Sequence, residues 1–127
     1  MTTNISIPPV YISRIGDKKE TPTQFTQKYI MVEILDQGEN RLAVVSTDSS
    51  IHLGIAYDIK DQFGSQIQFK VSGGGRLKID SAQKQITLYG YSIKYGRANH
   101  NKAAEILKSS DQYKDYEIIV DNNPAKY

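Results

Sequence analysis

Cysteine is absent from the 127 residues. That excludes disulfides, thiolate metal sites and a cysteine nucleophile. No Asp-x-Asp pair offers an aspartyl nucleophile. Histidine occurs only twice, and two histidines without cysteine or clustered carboxylates do not make a zinc site. No metal or other cofactor is expected. Charge of either sign is not in excess. The net value of +2 gives no reason to expect nucleic acid, although tyrosines such as Tyr89, Tyr91 and Tyr95 could in principle stack on bases. No apolar run approaches the length of a membrane span. The first ten residues, MTTNISIPPV, lack the basic and apolar regions of a secretory signal. A soluble, cytoplasmic, monomeric protein without membrane or nucleic-acid partners is the expectation.

What is present suffices for one core. The length predicts a single domain over residues 1–127, with residues 1–9 as an extended, mobile arm. Hydrophobic content of 39% and charged content of 24% are those of a globular chain. Val10–Arg14 reads as a short strand, and Gly16–Thr26 as a loop. Lys28–Leu35 is rich in β-formers and apolar on both faces, which suits a central strand. Arg41–Ser46 is the next strand. Thr47–Ser50 reads as a helix start, with Ile51, Ile55, Ile59 and Phe63 as its stripe and Gly64 as its end. Extended pieces follow over Gln66–Val71 and Arg76–Asp80, then a clearly alternating strand over Ile86–Ser92. Asn99 or Asn101 caps a second helix near Lys102–Ser109, and Tyr116–Val120 closes the set. The order is not a regular βαβ alternation. The predicted class is α+β, a mixed sheet of about six strands with two helices packed on it.

Four features carry possible chemistry. His52 falls in the first turn of the first helix, where free N–H groups favour an anion. An imidazole there can act as general base or nucleophile, although the same signal fits an ordinary helix-start histidine. His100 precedes the second helix and reads as a surface or packing residue. Gly73-Gly74-Gly75-Arg76 lacks the spacing of a nucleotide-binding loop, so a bulge or tight corner between strands is the better reading, with Arg76 as a possible anion ligand. Ser92 ends the alternating strand beside backbone N–H groups that could meet phosphate oxygens.

Gly73-Gly74-Gly75-Arg76, Tyr89-Gly90-Tyr91-Ser92, Tyr95-Gly96, His100 and Tyr113-Lys114-Asp115-Tyr116-Glu117 occur in order, with Lys28-Tyr29 upstream. In these motifs the chain resembles the janus family, which includes the small phosphohistidine phosphatases of animals. The resemblance implies an α+β fold and metal-independent hydrolysis of phosphohistidine on proteins. It implies His52 as the essential residue, Lys28 as a substrate contact, and Arg76 with Ser92, Ile93 and Lys94 as the phosphate binders. An arginine that the family places upstream of the histidine is replaced near Val44. A phospho-ligand binding or regulatory module of the same fold, without turnover, is the alternative.

Overall fold

The computed structural model describes residues 7–13, 23–36, 39–64 and 66–124. Its elements are β1 (Val10–Ile12), β2 (Gln24–Asp36), β3 (Glu39–Ser46), α1 (His52–Phe63), β4 (Phe69–Asp80), β5 (Gln85–Tyr89), α2 (His100–Lys108) and β6 (Glu117–Val120). The strands form one sheet in the order β1-β3-β2-β4-β5-β6. β1 pairs with β3, and β6 with β5, in parallel; the central pairs are antiparallel. This is the mixed six-stranded α+β sheet expected.

β2 is central because its residues are apolar at both parities. Ile30, Val32 and Ile34 pack with Ile55, Ala56 and Ile59 of α1. Tyr29 and Met31 pack on the other side with Ala103 and Leu107 of α2. The two helices therefore cover opposite faces of the sheet. α2 starts where Asn99 accepts a 3.0 Å hydrogen bond from Lys102 N, so Asn99 and not Asn101 is the cap. α1 starts differently. Its N-cap is Ile51, which is exposed and makes no side-chain cap bond. The helix is held instead by burial of Ile55 and Ile59, and the turn before it by Thr47 Oγ1, which donates to Asp58 Oδ2 at 2.6 Å. Gly64, at φ 98°, ends α1 in a conformation that side chains disfavour.

Several boundaries differ from the sequence reading. Gln24–Thr26 belongs to β2 rather than to a loop, because it pairs with Lys78–Asp80. Residues 14–22 of the expected first strand and loop lie outside the described residues. The two extended pieces around the glycines are one strand, β4, so of the bulge or corner expected there the structure has the bulge. β5 stops at Tyr89, and Ser92 lies beyond it in a turn. Of the arm expected over residues 1–9, Ile7, Pro8 and Pro9 are described. Ile7 is buried and its carbonyl accepts from Arg41, while Pro9 O accepts from Val44 N at 2.8 Å. That end of the arm is tied to β3.

One irregularity in β4 decides what faces what. Met31 pairs with Gly73 but Val32 pairs with Val71, so Ser72 is an extra residue, a β-bulge. Phe69 and Val71 face α1. Strict alternation would then place Gly73, Gly75 and Leu77 on that face and bury Arg76 beneath α2. The bulge resets the parity. Leu77 and Ile79 join the α2 core, and Gly74 and Arg76 face the α1 side.

Candidate functional site

The α1 side of β4 is where the chemistry gathers. Gly74 lies there against two side chains. A Cβ built on it would meet His52 Cδ2 at 2.8 Å and Ser92 Cβ at 2.9 Å. The imidazole and the serine thus sit side by side over a residue that only glycine can be. Glycine at 74 serves close approach rather than backbone wrapping of an anion.

His52 is the first residue of α1 and is 5% exposed. Its Nε2 is 2.9 Å from the Gly75 carbonyl oxygen. A carbonyl only accepts, so Nε2 carries the proton and Nδ1 keeps the lone pair. Nδ1 has no hydrogen-bond partner among the described residues. Burial lowers the pKa of His52 below the ordinary 6.5, and the positive charges of Lys28 and Arg76 lower it further, against the bond to Gly75, which raises it. The ring is therefore neutral at pH 7, with a usable lone pair.

The two cations come from adjacent strands. Lys28 of β2 is the direct partner of Arg76 of β4, and directly opposed residues share a face. Both border a cleft of about 260 Å³ whose far wall is Asp48 and Ser49. Arg76 Nε is a buried donor atom with no hydrogen bond. Position 44, where the resemblance leads one to look for an arginine, is a fully buried valine in the α2-side core, so β3 brings no cation there.

Beyond β5 the chain folds back along β4. Gly96 O accepts from Ser92 N at 3.1 Å and from Gly74 N at 3.0 Å, and Ala98 N donates to Gly74 O at 2.9 Å. Gly96 adopts φ 81° to make this possible. The result is a tight turn over Ser92–Gly96 pinned beside His52. Ser92 is buried, and its Oγ accepts from Tyr95 N at 3.0 Å. The Ser92 N–H is engaged within the turn, so it is not an anion donor. The N–H groups of Ile93 and Lys94 have no partner among the described residues, and converging free N–H groups of a turn suit an anion. Ile93 is 81% exposed. The Lys94 ammonium lies 5.7 Å from the Tyr95 ring centroid, and the cations acting on His52 are Lys28 and Arg76. At the start of α1, which has no side-chain cap, the Gly54 N–H donates to Ile51 O at 3.1 Å, and those of His52 and Leu53 have no partner among the described residues.

The structure thus brings His52, Lys28, Arg76 and Ser92 to one face, with Ile93 and Lys94 contributing backbone. His100 does not join them. It is the first residue of α2, is 1% exposed and lies behind β4. His100 Nε2 donates to Gly90 O at 2.9 Å, and the Tyr29 hydroxyl donates to Nδ1. A Cβ on Gly75 would meet His100 Cε1 at 2.5 Å. The two histidines therefore flank one strand, His52 on the α1 side and His100 on the α2 side, the latter a packing residue as the sequence suggested. The anchoring of His52 by the Gly75 carbonyl was not anticipated from sequence. The one available signal was the glycine run itself, read there as a bulge or tight corner.

Comparison with known proteins agrees with this frame. The model of the Janus/Ocnus family matches residues 12–117. The sex-regulated protein janus-B of Drosophila erecta is 33% identical over 115 residues, covering 87% of this chain and 82% of that protein. Janus-B of Drosophila melanogaster is 31% identical over 113 residues, 86% of this chain and 81% of the relative. Janus-A of Drosophila mauritiana is 31% identical over 96 residues, 73% of this chain and 70% of the relative.

Proposed function

The chain belongs to the Janus/Ocnus family, and from that premise and the surroundings of His52 we propose that it is a metal-independent phosphatase of protein phosphohistidine. The observation that carries the reading is the state of His52: its Nε2–H is committed to Gly75 O, which leaves the lone pair on Nδ1, and the charges of Lys28 and Arg76 act on the ring to keep it neutral. A neutral imidazole next to fixed positive charge is what attack on an anionic phosphoryl group requires.

In the reaction, the phosphoryl oxygens lie against Arg76, Lys28, the N–H groups of Ile93 and Lys94, the Ser92 hydroxyl and the start of α1. These donors take up charge as it builds in the transition state. Used as a general base, His52 Nδ1 accepts a proton from water as the water oxygen bonds to phosphorus. The P–N bond breaks, and the proton passes from His52 to the leaving imidazole nitrogen, giving histidine and phosphate. Used as a nucleophile, Nδ1 bonds to phosphorus as the substrate P–N bond breaks and the leaving imidazole nitrogen takes a proton from solvent; water then attacks phosphorus, the Nδ1–P bond breaks, and phosphate leaves with His52 restored. Acid-quench trapping of phosphate on His52 separates the two routes.

A module that binds the phospho-ligand without turnover is the second reading. It is favoured by the uncharged Val44, which leaves two side-chain cations to hold the phosphoryl group. Phosphate release from a phosphohistidine peptide in EDTA decides between the two. Steady release, absent with a phosphoserine peptide, is the expected result. Saturable binding without release establishes the module.

A further inference from the structure

Beyond the reach of α1, no helix among the described residues covers the same sheet face. Strand register arranges it in rows. Lys28, Arg76 and Tyr89 form the row next to the site. Thr26, Lys78 and Thr87 form the next, with Ile119 at its end. Asp80 and Glu117 belong to the last row. None of the residues in these rows belongs to the apolar cluster beneath α1, and Thr26, Lys78 and Ile119 are exposed. Charge along the platform is graded. The cations are in the two rows nearest His52. The acids in the far row are already engaged, Asp80 by Gln24 Nε2 at 3.1 Å and Glu117 by Gln85 Nε2 at 2.8 Å. Lys78 alone of the three cations stands clear of the phosphoryl donors, and among the described residues it makes no hydrogen bond or ion pair.

We propose that this platform seats the polypeptide flank of the phosphohistidine, and that Lys78 selects substrates with an acidic residue on that flank. The proposal rests on the phosphohistidine reading of the His52 site. Successive rows are about 7 Å apart along the strands, so an extended substrate places its acidic side chain about two to four residues from the phosphohistidine. The occupant is a short acidic peptide segment rather than a continuous polyanion, because a polyanion crossing the platform would run onto Asp80 and Glu117.

The test uses the intact chain and phosphohistidine peptides carrying Glu, Ser or Lys at those positions on either side, with phosphoramidate as a flankless substrate. Wild type is expected to favour the Glu peptide over the Ser peptide by about two- to fivefold in kcat/KM, through KM, with the preference shrinking in high salt. Lys78→Glu is expected to reverse the order while hydrolysing phosphoramidate at the wild-type rate. An unchanged peptide ranking in Lys78→Glu overturns the proposal. Should neither protein hydrolyse any phosphohistidine substrate, the activity reading fails, and fluorescence anisotropy with the unphosphorylated Glu peptide decides on the platform alone. Weaker binding by Lys78→Glu supports the platform, and equal binding overturns it.

Discussion

At His52 three local effects act on one proton. Burial and two neighbouring cations oppose protonation, and the Gly75 carbonyl favours it. The base form therefore persists into mildly acidic solution. The acid limb of kcat/KM against pH is expected to have its midpoint below 6.5, with a plateau through neutrality. Lys28→Met removes one of the opposing charges, so its midpoint should move upward, as a pH–rate profile would read directly. His52→Asn should lose about 10²–10⁴-fold in kcat while still binding phosphate. Gly74→Ala tests the same site through its floor. The new methyl meets the His52 ring and the Ser92 side chain at under 3 Å, and one of them must move. Activity is expected to fall about 100-fold for a stability loss of about 1–3 kcal/mol, measured by kinetics and denaturant melts on the same sample.

Among the elements, β4 carries the most information per residue. Its bulge at Ser72 decides that Arg76 faces the site and Leu77 the core. Deleting Ser72 restores period two, which drives Arg76 under α2 and Leu77 into water. The deletion is expected to abolish the folded near-ultraviolet dichroism, whereas Ser72→Ala, which keeps the residue count, should leave it intact. α1 offers the opposite experiment. Its N-cap is an exposed isoleucine without a side-chain cap, so Ile51→Ser should raise stability by about 0.5–1 kcal/mol in urea melts. Legibility followed the same lines. The apolar parities of β2 and the stripe of Ile55 and Ile59 are local signals legible in the sequence, as was an asparagine cap on α2, narrowed there to Asn99 or Asn101. The glycine run offered a bulge or a tight corner, and only the pairing of β4 with β2 decides for a bulge, centred on Ser72. The resemblance to a family named Lys28 and Arg76 singly, and their direct pairing is visible only in the sheet register.

Across the whole molecule, two buried histidines tie stability to pH. Burial lowers the pKa of His100 as well as that of His52 below 6.5. Above that value both are neutral, folded or unfolded, and contribute no pH dependence. Below it the unfolded chain takes up protons that the folded chain resists, so stability declines as pH falls until it passes the folded values. Thermal melts from pH 7.5 to 5.5 should show that decline, with a shallower slope in His52→Asn. The fold places helices on opposite faces of the sheet and, among the described residues, leaves a platform beside α1 without a helix over it, and the proposed activity depends on what His52 does at that boundary. Phosphorus NMR of a phosphohistidine peptide in EDTA tests this most directly, with wild type and His52→Ala run side by side. The expected result is an inorganic phosphate signal that grows with wild type and stays at the spontaneous level with His52→Ala. A phosphohistidine signal that persists with stoichiometric wild-type protein, or that decays equally with both proteins, would contradict it.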